Sequence, residues 1–532
     1  MTQQQLQRRF DFAPGYDSFV LAGSGRSAQD IVLQNDVCTY LATPIGSLAN
    51  ENQICATVLG IMNEQRVDYG DLRLGRDLDR SLSLSDENIV HHAFNQSEGI
   101  GIRVLAEGFW GFSSTDDLSA DGLKRCTMRA VAMAKGVASV TPKQLRLTLD
   151  QFAAEPAHKA EFHTPVLICP FTTDMGVLAE PFRSGAEIAL KIPGIKRVYS
   201  KLFTYGRRRV FANTDGSYIL TTHAVCDPIQ MFVAVDSGSS AYRNVLGTAL
   251  AGGFEHIIAA DFPAQAEGAA KEAVKKCSAK TPTPGDYTLI LDGHNLALTM
   301  HESVGHPTEL DRVLGYELGF AGGSFASIDK LNKFQYGSPI VNFTANNRVL
   351  FGAASVGYDD EGVECSSFPV IKEGFLVGYG TNRETAKTIG QNRANGTCRS
   401  TRWSDAPIVR IPNLYLEPGK NKLTRDDLIA DTKDGILMLG RDSFSIDQMR
   451  YNFQFGADMC YRIKNGKVTE PLKDVIYQSI SPEFWNSCDA ICDESEWQMH
   501  GVFNCGKGQP NQSAKMMHGA APARFRNIKV GF

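Results

Sequence analysis

Two histidines and a glutamate stand close together in the chain and could bind and use a metal ion. They are His301, Glu302 and His306, in the pattern H-E-x-x-x-H. Imidazole nitrogens are common zinc ligands, and a neighbouring carboxylate can act as a general base. Only 11 of the 532 residues are histidines, so this grouping favours a catalytic zinc site. The alternative is a pair of partly buried, hydrogen-bonded histidines near a helix end.

The spacing of the two histidines is one residue longer than in the zincin motif H-E-x-x-H. Histidines at i and i+4 lie about 40° apart around an α-helix, whereas those at i and i+5 lie about 140° apart. Both imidazoles can therefore reach one ion only if the helix ends or bulges. Gly305 leaves the helical region easily, and Pro307 disfavours that region for the residue before it. We expect a distorted turn that swings His306 back toward His301.

A catalytic zinc ion needs a third protein ligand and one open position. The motif itself does not identify that ligand. Four residues are candidates: Glu309, His500, Cys505 and His518. Cys505 lies in the glycine-rich segment 504–510, although a lone cysteine is more often a buried, inert thiol. In this hypothesis Glu302 takes a proton from the water that zinc activates.

The residues before the motif predict the elements that position it. Residues 287–291 are Tyr-Thr-Leu-Ile-Leu, an apolar run typical of a buried strand. Asp292 or Asn295 can cap the helix that follows. Apolar residues recur along this helix at positions 296, 300 and 304, as on a buried helix face.

The N-terminal half mixes strand and helix patterns. Alternating residues predict strands at 67–74 and 98–105. Capping residues at 115–117 predict a helix that runs to about Lys135 and stops at Gly136.

Between residues 196 and 225 we expect three strands, the last two joined by a turn at 213–216. We interpret the arginines in this region, Arg207, Arg208 and Arg209, as solvated edge residues that discourage aggregation. An alanine-rich helix is predicted from about residue 264 to Cys277.

Residues 278–285 contain two prolines and a glycine and form the clearest linker in the chain. After them come short apolar runs broken by Gly, Asn and Pro, among them 348–352, which predict strands. The expected fold is α+β, with an N-terminal α/β sandwich-like domain followed by a β-rich, barrel-like C-terminal domain. The predicted bounds are 1–50 for an N-terminal extension, 51–280 for the first domain and 285–532 for the second.

The twelve cysteines are scattered and form no C-x-x-C pair, so we expect reduced, mostly buried thiols. Arg8 and Arg9 are not followed by the apolar stretch of an export signal, and no apolar run is long enough to span a membrane. These features predict a soluble cytoplasmic protein. The net charge of −5 disfavours direct binding of nucleic acid.

Three segments together resemble the TldD/PmbA family of metallopeptidases, and specifically its metal-bearing TldD-type members. The first comprises residues 67–74 with 99–104, the second is the motif at 301–306, and the third comprises residues 504–510 with the closing segment 524–531. The resemblance extends from about residue 52 to the end. One departure is the sequence after the motif, Pro-Thr-Glu-Leu-Asp, where we expect a glycine-rich stretch in other members.

The resemblance implies a zinc ion bound by His301, His306 and Cys505, with Glu302 as the catalytic base. It also implies a dimer that encloses the metal in a cavity, so that substrates are unfolded or short peptides. The dimer would be a homodimer or a heterodimer with a PmbA-type paralogue that lacks the metal motif.

Two other functions remain open at this point. The same chemistry would serve a metal-dependent hydrolase of a non-peptide amide or ester. A non-catalytic modulator or partner protein with a structural metal is the third hypothesis, although a structural zinc site normally has four protein ligands.

Overall fold

The computed structural model describes residues 38–236, 238–247 and 250–531. Most of the predicted N-terminal extension, including Arg8 and Arg9, lies outside the described residues. No helix in the described residues is both long and apolar enough to cross a membrane.

One sheet with long strands forms the N-terminal half. Its strands are β1 (Tyr69–Ser85), β2 (Asn88–Ala106), β3 (Phe109–Thr115), β4 (Lys159–His163), β5 (Ile195–Asn213), β6 (Tyr218–Asp236), β7 (Ser239–Leu246) and β8 (Leu250–Ala251). Their order is β3-β2-β1-β5-β6-β4, and β7 and β8 also pair with β6. Only β4 runs parallel to its neighbour. The prediction of three strands between residues 196 and 225 is therefore wrong. Two strands are present, because β5 continues without a break to the predicted turn and β6 follows it.

Helices cover one face of this sheet. They are α1 (Thr39–Ala42), α2 (Leu48–Glu64), α3 (Ala120–Val140), α4 (Met175–Leu190), α5 (Glu255–Ala259) and α6 (Phe262–Cys277). Side chains alternate between the faces of a strand, and the even-numbered residues of β1 point to the helices. Leu72 and Leu74 pack in one apolar cluster with α2 and α3. Leu82 and Leu84 pack in a second cluster with α4 and α6.

The arginines 207–209 are buried, so their interpretation as solvated edge residues is wrong. Arg208 points to the helical face and forms an ion pair of 2.7 Å with Glu51 of α2. Arg207 and Arg209 point to the opposite face, where both pair with Asp360. The arginines lie in the central strand β5, and each is charge-paired inside the protein.

The C-terminal half contains short strands and short helices. Its strands are β9 (Gly285–Leu291), β10 (Phe343–Asn346), β11 (Ser367–Lys372), β12 (Phe375–Leu376), β13 (Cys398–Arg399), β14 (Ile408–Val409), β15 (Leu414–Leu416), β16 (Asp434–Leu439), β17 (Phe444–Ile446), β18 (Asn452–Gly456), β19 (Met459–Lys464), β20 (Lys467–Leu472), β21 (Ile476–Ile480), β22 (Cys488–Ile491), β23 (Gln498–Lys507), β24 (Gln512–Ala520) and β25 (Ala523–Val530). Its helices are α7 (Gly293–Met300), α8 (Leu310–Val313), α9 (Arg425–Ala430) and α10 (Ser481–Asn486).

Two sheets of this half enclose helix α7. One has the order β12-β11-β10-β15-β24-β23, and the other has the order β17-β18-β21-β25-β9-β16-β19-β20. Helix α7 follows β9 directly and packs against β23 and β24 of the first sheet and β16 of the second. Its residues Leu296 and Met300 are fully buried in the largest apolar cluster. The α+β fold class is confirmed, with a curled half-barrel sheet.

Some local predictions need correction. Helix α3 begins after the cap Ser119 and continues through Gly136 to Val140. A single glycine lowers helix propensity by about 1 kcal/mol but does not by itself end a helix. Residues 348–352 form a turn and not a strand. Cys38 and Cys169 form a disulfide, so the expectation of reduced thiols is wrong for this pair. The other ten cysteines are free and buried.

Candidate metal centre

The two histidines of the motif come together because the helix widens by one residue after α7. The N–H of His306 donates to the carbonyl of His301, five residues earlier, in a π-helical turn over 301–305. His306 therefore lies beside His301, and their ring centroids are 4.8 Å apart. The predicted bulge is present, but its expected cause is wrong: Gly305 and His306 both keep helical backbone angles. Gly305 instead permits close contact, since a Cβ there would lie 2.9 Å from Ile411.

Cys505 reaches the histidines from strand β23. This strand pairs with β24, and Cys505 lies opposite Ala514. The Sγ atom of Cys505 is 3.4 Å from Nε2 of His306. Potential ligand atoms of His301, His306 and Cys505 all lie within 4.8 Å of one another, and all three residues are buried. We refer to these three residues as the metal centre.

The outer hydrogen bonds of His301 determine which of its nitrogens is free. Nδ1 of His518 contacts the carbonyl oxygen of Leu414 at 3.2 Å, and a carbonyl can only accept, so this Nδ1 carries the proton. Nε2 of His518 is then the acceptor for Nδ1–H of His301 at 2.8 Å. Nε2 of His301 is left with a lone pair. Burial lowers the pKa of His301 to about 4, so the ring is neutral at pH 7.

His306 is oriented in a similar way by a carboxylate. Its Nδ1–H donates to Glu309 at 2.7 Å, which leaves the lone pair of Nε2 for an ion. Burial raises the pKa of Glu309, but Lys507 and His306 outweigh this effect and the net pKa lies well below its usual value. Nζ of Lys507 is 3.4 Å from Glu309 and donates to Asp311 at 2.6 Å. Lys507 thus keeps the acceptor of His306 ionised.

Arg410 supports the third member of the metal centre. Its Nη2 donates to Sγ of Cys505 at 3.2 Å. Burial raises the pKa of the Cys505 thiol, but His306 and Arg410 outweigh it and the net shift is downward. The thiolate, which is the metal-binding form, is therefore favoured.

Glu302 lies next to the metal centre in sequence and is 7% exposed. Its Oε2 atom is buried and accepts no hydrogen bond within the described part of the chain. Nη1 of Arg450 lies 3.4 Å from this atom. The carboxylate is thus held by a cation while keeping a lone pair free for a proton.

The structure distinguishes the four candidates for the third ligand. Cys505 joins the two histidines of the motif. Glu309 and His518 are not part of the metal centre but contact it, as hydrogen-bond acceptors for the ring protons of those histidines. His500 lies outside this group and packs on His294, with ring centroids 4.0 Å apart.

Sequence reasoning missed three cations around the metal centre: Arg410, Arg450 and Lys507. A signal existed for two of them. Arg410 interrupts the apolar run 408–411, and Lys507 stands two residues after Cys505 in a β-strand, where residues i and i+2 share a face. Arg450 lies in a turn far from the motif in sequence, and no local pattern identifies it.

The metal centre has the chemistry of a zinc site. Two imidazoles and one thiol of lowered pKa offer the nitrogen and sulfur donors that zinc prefers. Each donor residue also has a fixed outer partner, which is typical of metal ligands. The described residues thus fit a zinc ion.

Comparison with known proteins agrees with this geometry. Residues 284–531 match the model of the PmbA/TldA metallopeptidase C-terminal domain, and residues 70–134 match that of PmbA/TldA metallopeptidase domain 1. The chain belongs to the TldD/PmbA family. The resemblance inferred from the sequence is therefore confirmed.

Two relatives of this chain carry names that describe activity. A metalloprotease of Methanothermobacter thermautotrophicus is 28% identical over 481 residues, which cover 88% of this chain and 96% of the relative. A zinc metalloprotease TldD homolog of Saccharolobus solfataricus is 26% identical over 265 residues, or 49% of this chain and 55% of the relative.

A solved structure shares the fold of this TldD/PmbA chain. It is a Thermotoga maritima protein described as a modulator of a DNA gyrase, with a TM-score of 0.72 and 16% identity. The match covers 90% of this chain and 100% of the other. At this identity the likeness concerns the fold alone.

Proposed function

We propose that this protein is a zinc-dependent peptidase in which His301, His306 and Cys505 bind zinc and Glu302 is the general base. The main observation is the convergence of the three donor residues, in which outer partners orient both histidines and Arg410 donates to the sulfur of Cys505. The names of the relatives support the same activity.

The number of donors favours a catalytic site over a structural one. The group in the described residues has three members, whereas structural zinc sites normally have four protein ligands. Zinc bound there would act as a Lewis acid that polarises a carbonyl group and lowers the pKa of water.

Glu302 is the residue that moves protons in this proposal. Its free Oε2 accepts a proton from the attacking water and then delivers it to the amine nitrogen of the leaving peptide. Arg450 holds the carboxylate in position through its ion pair.

We further propose that the substrates are unfolded or short peptides and that the working form is a dimer. All three zinc-binding residues are at most 4% exposed, so a compact folded substrate could not reach them without rearrangement. Pairing with a second copy, or with a PmbA-type paralogue that lacks the metal motif, would enclose the site further. Sedimentation analysis of the purified chain, alone and mixed with such a paralogue, tests this part.

The zinc assignment is tested by elemental analysis of the wild-type chain and of His301→Ala. We expect about one zinc per wild-type chain and loss of the metal in the variant. Equal zinc content in both proteins would contradict the ligand assignment.

The peptidase assignment is tested with Glu302→Gln, an unfolded polypeptide and mass spectrometry of the products. We expect cleavage to fall by a factor of about 10² to 10⁴ while zinc content stays unchanged. Glu267→Gln, on the exposed face of α6, is the matched control and should cleave normally. Retained cleavage by Glu302→Gln would exclude Glu302 as the base, and no cleavage by the wild type would favour hydrolysis of another bond.

A further inference from the structure

Three apolar side chains are exposed on two segments that adjoin residues of the site. Leu318, Phe320 and Met449 are 65%, 48% and 44% exposed. A Cβ atom placed on Gly323 would lie 3.4 Å from both Leu318 and Met449, so these two side chains flank the same glycine. Phe320 belongs to the same loop as Leu318. We call these three residues the apolar patch.

The apolar patch stands on a rigid base. The fully buried guanidinium of Arg312 donates to the carbonyls of Gly323 and Ala321 in one segment and to that of Gln448 in the other. It also forms an ion pair with Glu317 at 3.2 Å. The loop that carries Leu318 and Phe320 is thereby joined to the turn that carries Met449. The patch is thus a preformed surface.

Each segment of the apolar patch continues a segment of the catalytic machinery. Met449 precedes Arg450, whose guanidinium lies 3.4 Å from Glu302. The loop with Leu318 and Phe320 follows helix α8, which begins one residue after Glu309. Phe320 also lies against Gly508, three residues after Cys505, since a Cβ there would be 2.5 Å from its ring.

We propose that the apolar patch binds apolar side chains of the peptide substrate and makes the enzyme selective for apolar segments. This inference rests on the proposed peptidase function. A group of exposed apolar side chains, unlike an isolated one, favours a binding site. The substrate is favoured as occupant because the patch adjoins Arg450, the ion-pair partner of Glu302, and Gly508, three residues after Cys505. Unfolded polypeptides expose such side chains, whereas folded proteins bury most of them.

The inference is tested with two quenched fluorescent peptides of equal length and charge. Every third residue is leucine in one peptide and asparagine in the other. We expect kcat/KM of the wild-type chain to be at least about tenfold higher for the leucine peptide. In the variant Leu318→Asn/Met449→Asn this ratio should fall close to one, because kcat/KM for the leucine peptide drops.

The matched control is Met133→Asn/Val140→Asn, which changes two exposed apolar residues of helix α3. It should retain the wild-type preference for leucine. In a Glu302→Gln background, fluorescence anisotropy of the leucine peptide gives a second readout that does not depend on turnover. There we expect the patch variant to bind about tenfold more weakly than its parent.

The outcomes separate the two proposals. Cleavage of both peptides with a ratio that the patch variant leaves unchanged would overturn the inference and leave the peptidase function standing. A patch variant that changes the sedimentation of the protein but not the ratio would assign the apolar patch to contacts between copies, and would also overturn it. If the wild type cleaves neither peptide, the proposed function fails and the inference fails with it.

Discussion

Lys507 contributes both to the stability of the fold and to the ionised state of Glu309, the acceptor of His306. The variant Lys507→Met measures both contributions. Its ammonium group has no exposed side-chain surface, and lies 3.4 Å from Glu309, 2.6 Å from Asp311 and 3.7 Å from Glu317. Burial lowers the pKa of Lys507, but the three carboxylates outweigh it and the net pKa is raised. Methionine has a similar length and removes the charge. Glu317 then keeps its ion pair with Arg312, whereas Glu309 and Asp311 lose the ammonium group.

Two magnitudes follow for Lys507→Met. Removing one partner of a buried ion pair costs about 3–5 kcal/mol in the free energy of unfolding. Glu309 also loses the charge that keeps it ionised as acceptor for His306, and the loss of such an outer partner weakens metal binding by about 10- to 100-fold. If zinc is present at about 1,000 times the wild-type Kd, it stabilises the wild type by about 4.1 kcal/mol. After a 100-fold loss of affinity this stabilisation falls to about 1.4 kcal/mol.

The assay is denaturant unfolding of both proteins, with chelator and with zinc, together with zinc titration against a competing chelator. Lys271→Met, which breaks an exposed ion pair with Glu267, is the control and should change the free energy of unfolding by less than about 1 kcal/mol. A folded Lys507→Met protein with wild-type zinc affinity would refute the connection from Lys507 through Glu309 to His306. The ion cluster would then serve the fold alone.

Three further predictions concern the surroundings of the metal centre and the N-terminal sheet. Gly305→Ala should lower the free energy of unfolding by about 1–3 kcal/mol, because the added Cβ would press on the buried Ile411. Ile411→Val should relieve part of this loss, which denaturant unfolding of the double-mutant cycle measures. Burial lowers the pKa of His223 to about 3 in the folded protein, whereas the unfolded chain has a pKa of about 6.5. The folded state therefore has its full stability above pH 6.5 and loses free energy of unfolding as the pH falls toward 3, by about 2 kcal/mol at pH 5. His223→Gln should reduce the pH dependence of unfolding by that amount. Arg208→Met should cost about 3–5 kcal/mol because it leaves Glu51 buried without its partner, whereas a change within about 0.5 kcal/mol would fit a solvated arginine.

Local chemistry predicted the central part of the site. The pattern H-E-x-x-x-H required a distorted turn, and the turn is present. The sequence could not reveal how the turn is made, because a π-turn keeps helical angles at Gly305 and leaves no local signature. Among the candidate ligands, Cys505 was preferred only by resemblance. Its approach to His306 depends on the pairing of β23 with β24, which is set by long-range contacts.

The burial of Arg207, Arg208 and Arg209 shows a second limit of sequence reasoning. A charged triplet in a strand is usually solvated, and local composition favours that interpretation. The acidic partners are Glu51 and Asp360, each more than 150 residues away, and neither can be assigned without the fold. The division into two domains at residues 278–285 stays a prediction.

The acceptor at the end of the chain from His301 through His518 is the main-chain carbonyl of Leu414. A side-chain substitution at position 414 leaves this oxygen in place, so the last acceptor that sets the tautomer of His301 is specified by the path of strand β15 and not by the residue type at position 414. Position 414 should therefore accept other residues that suit the strand without altering the metal centre, whereas position 518 should not. A sequence comparison therefore cannot identify this hydrogen-bond acceptor, because it depends on the backbone position and not on the residue type.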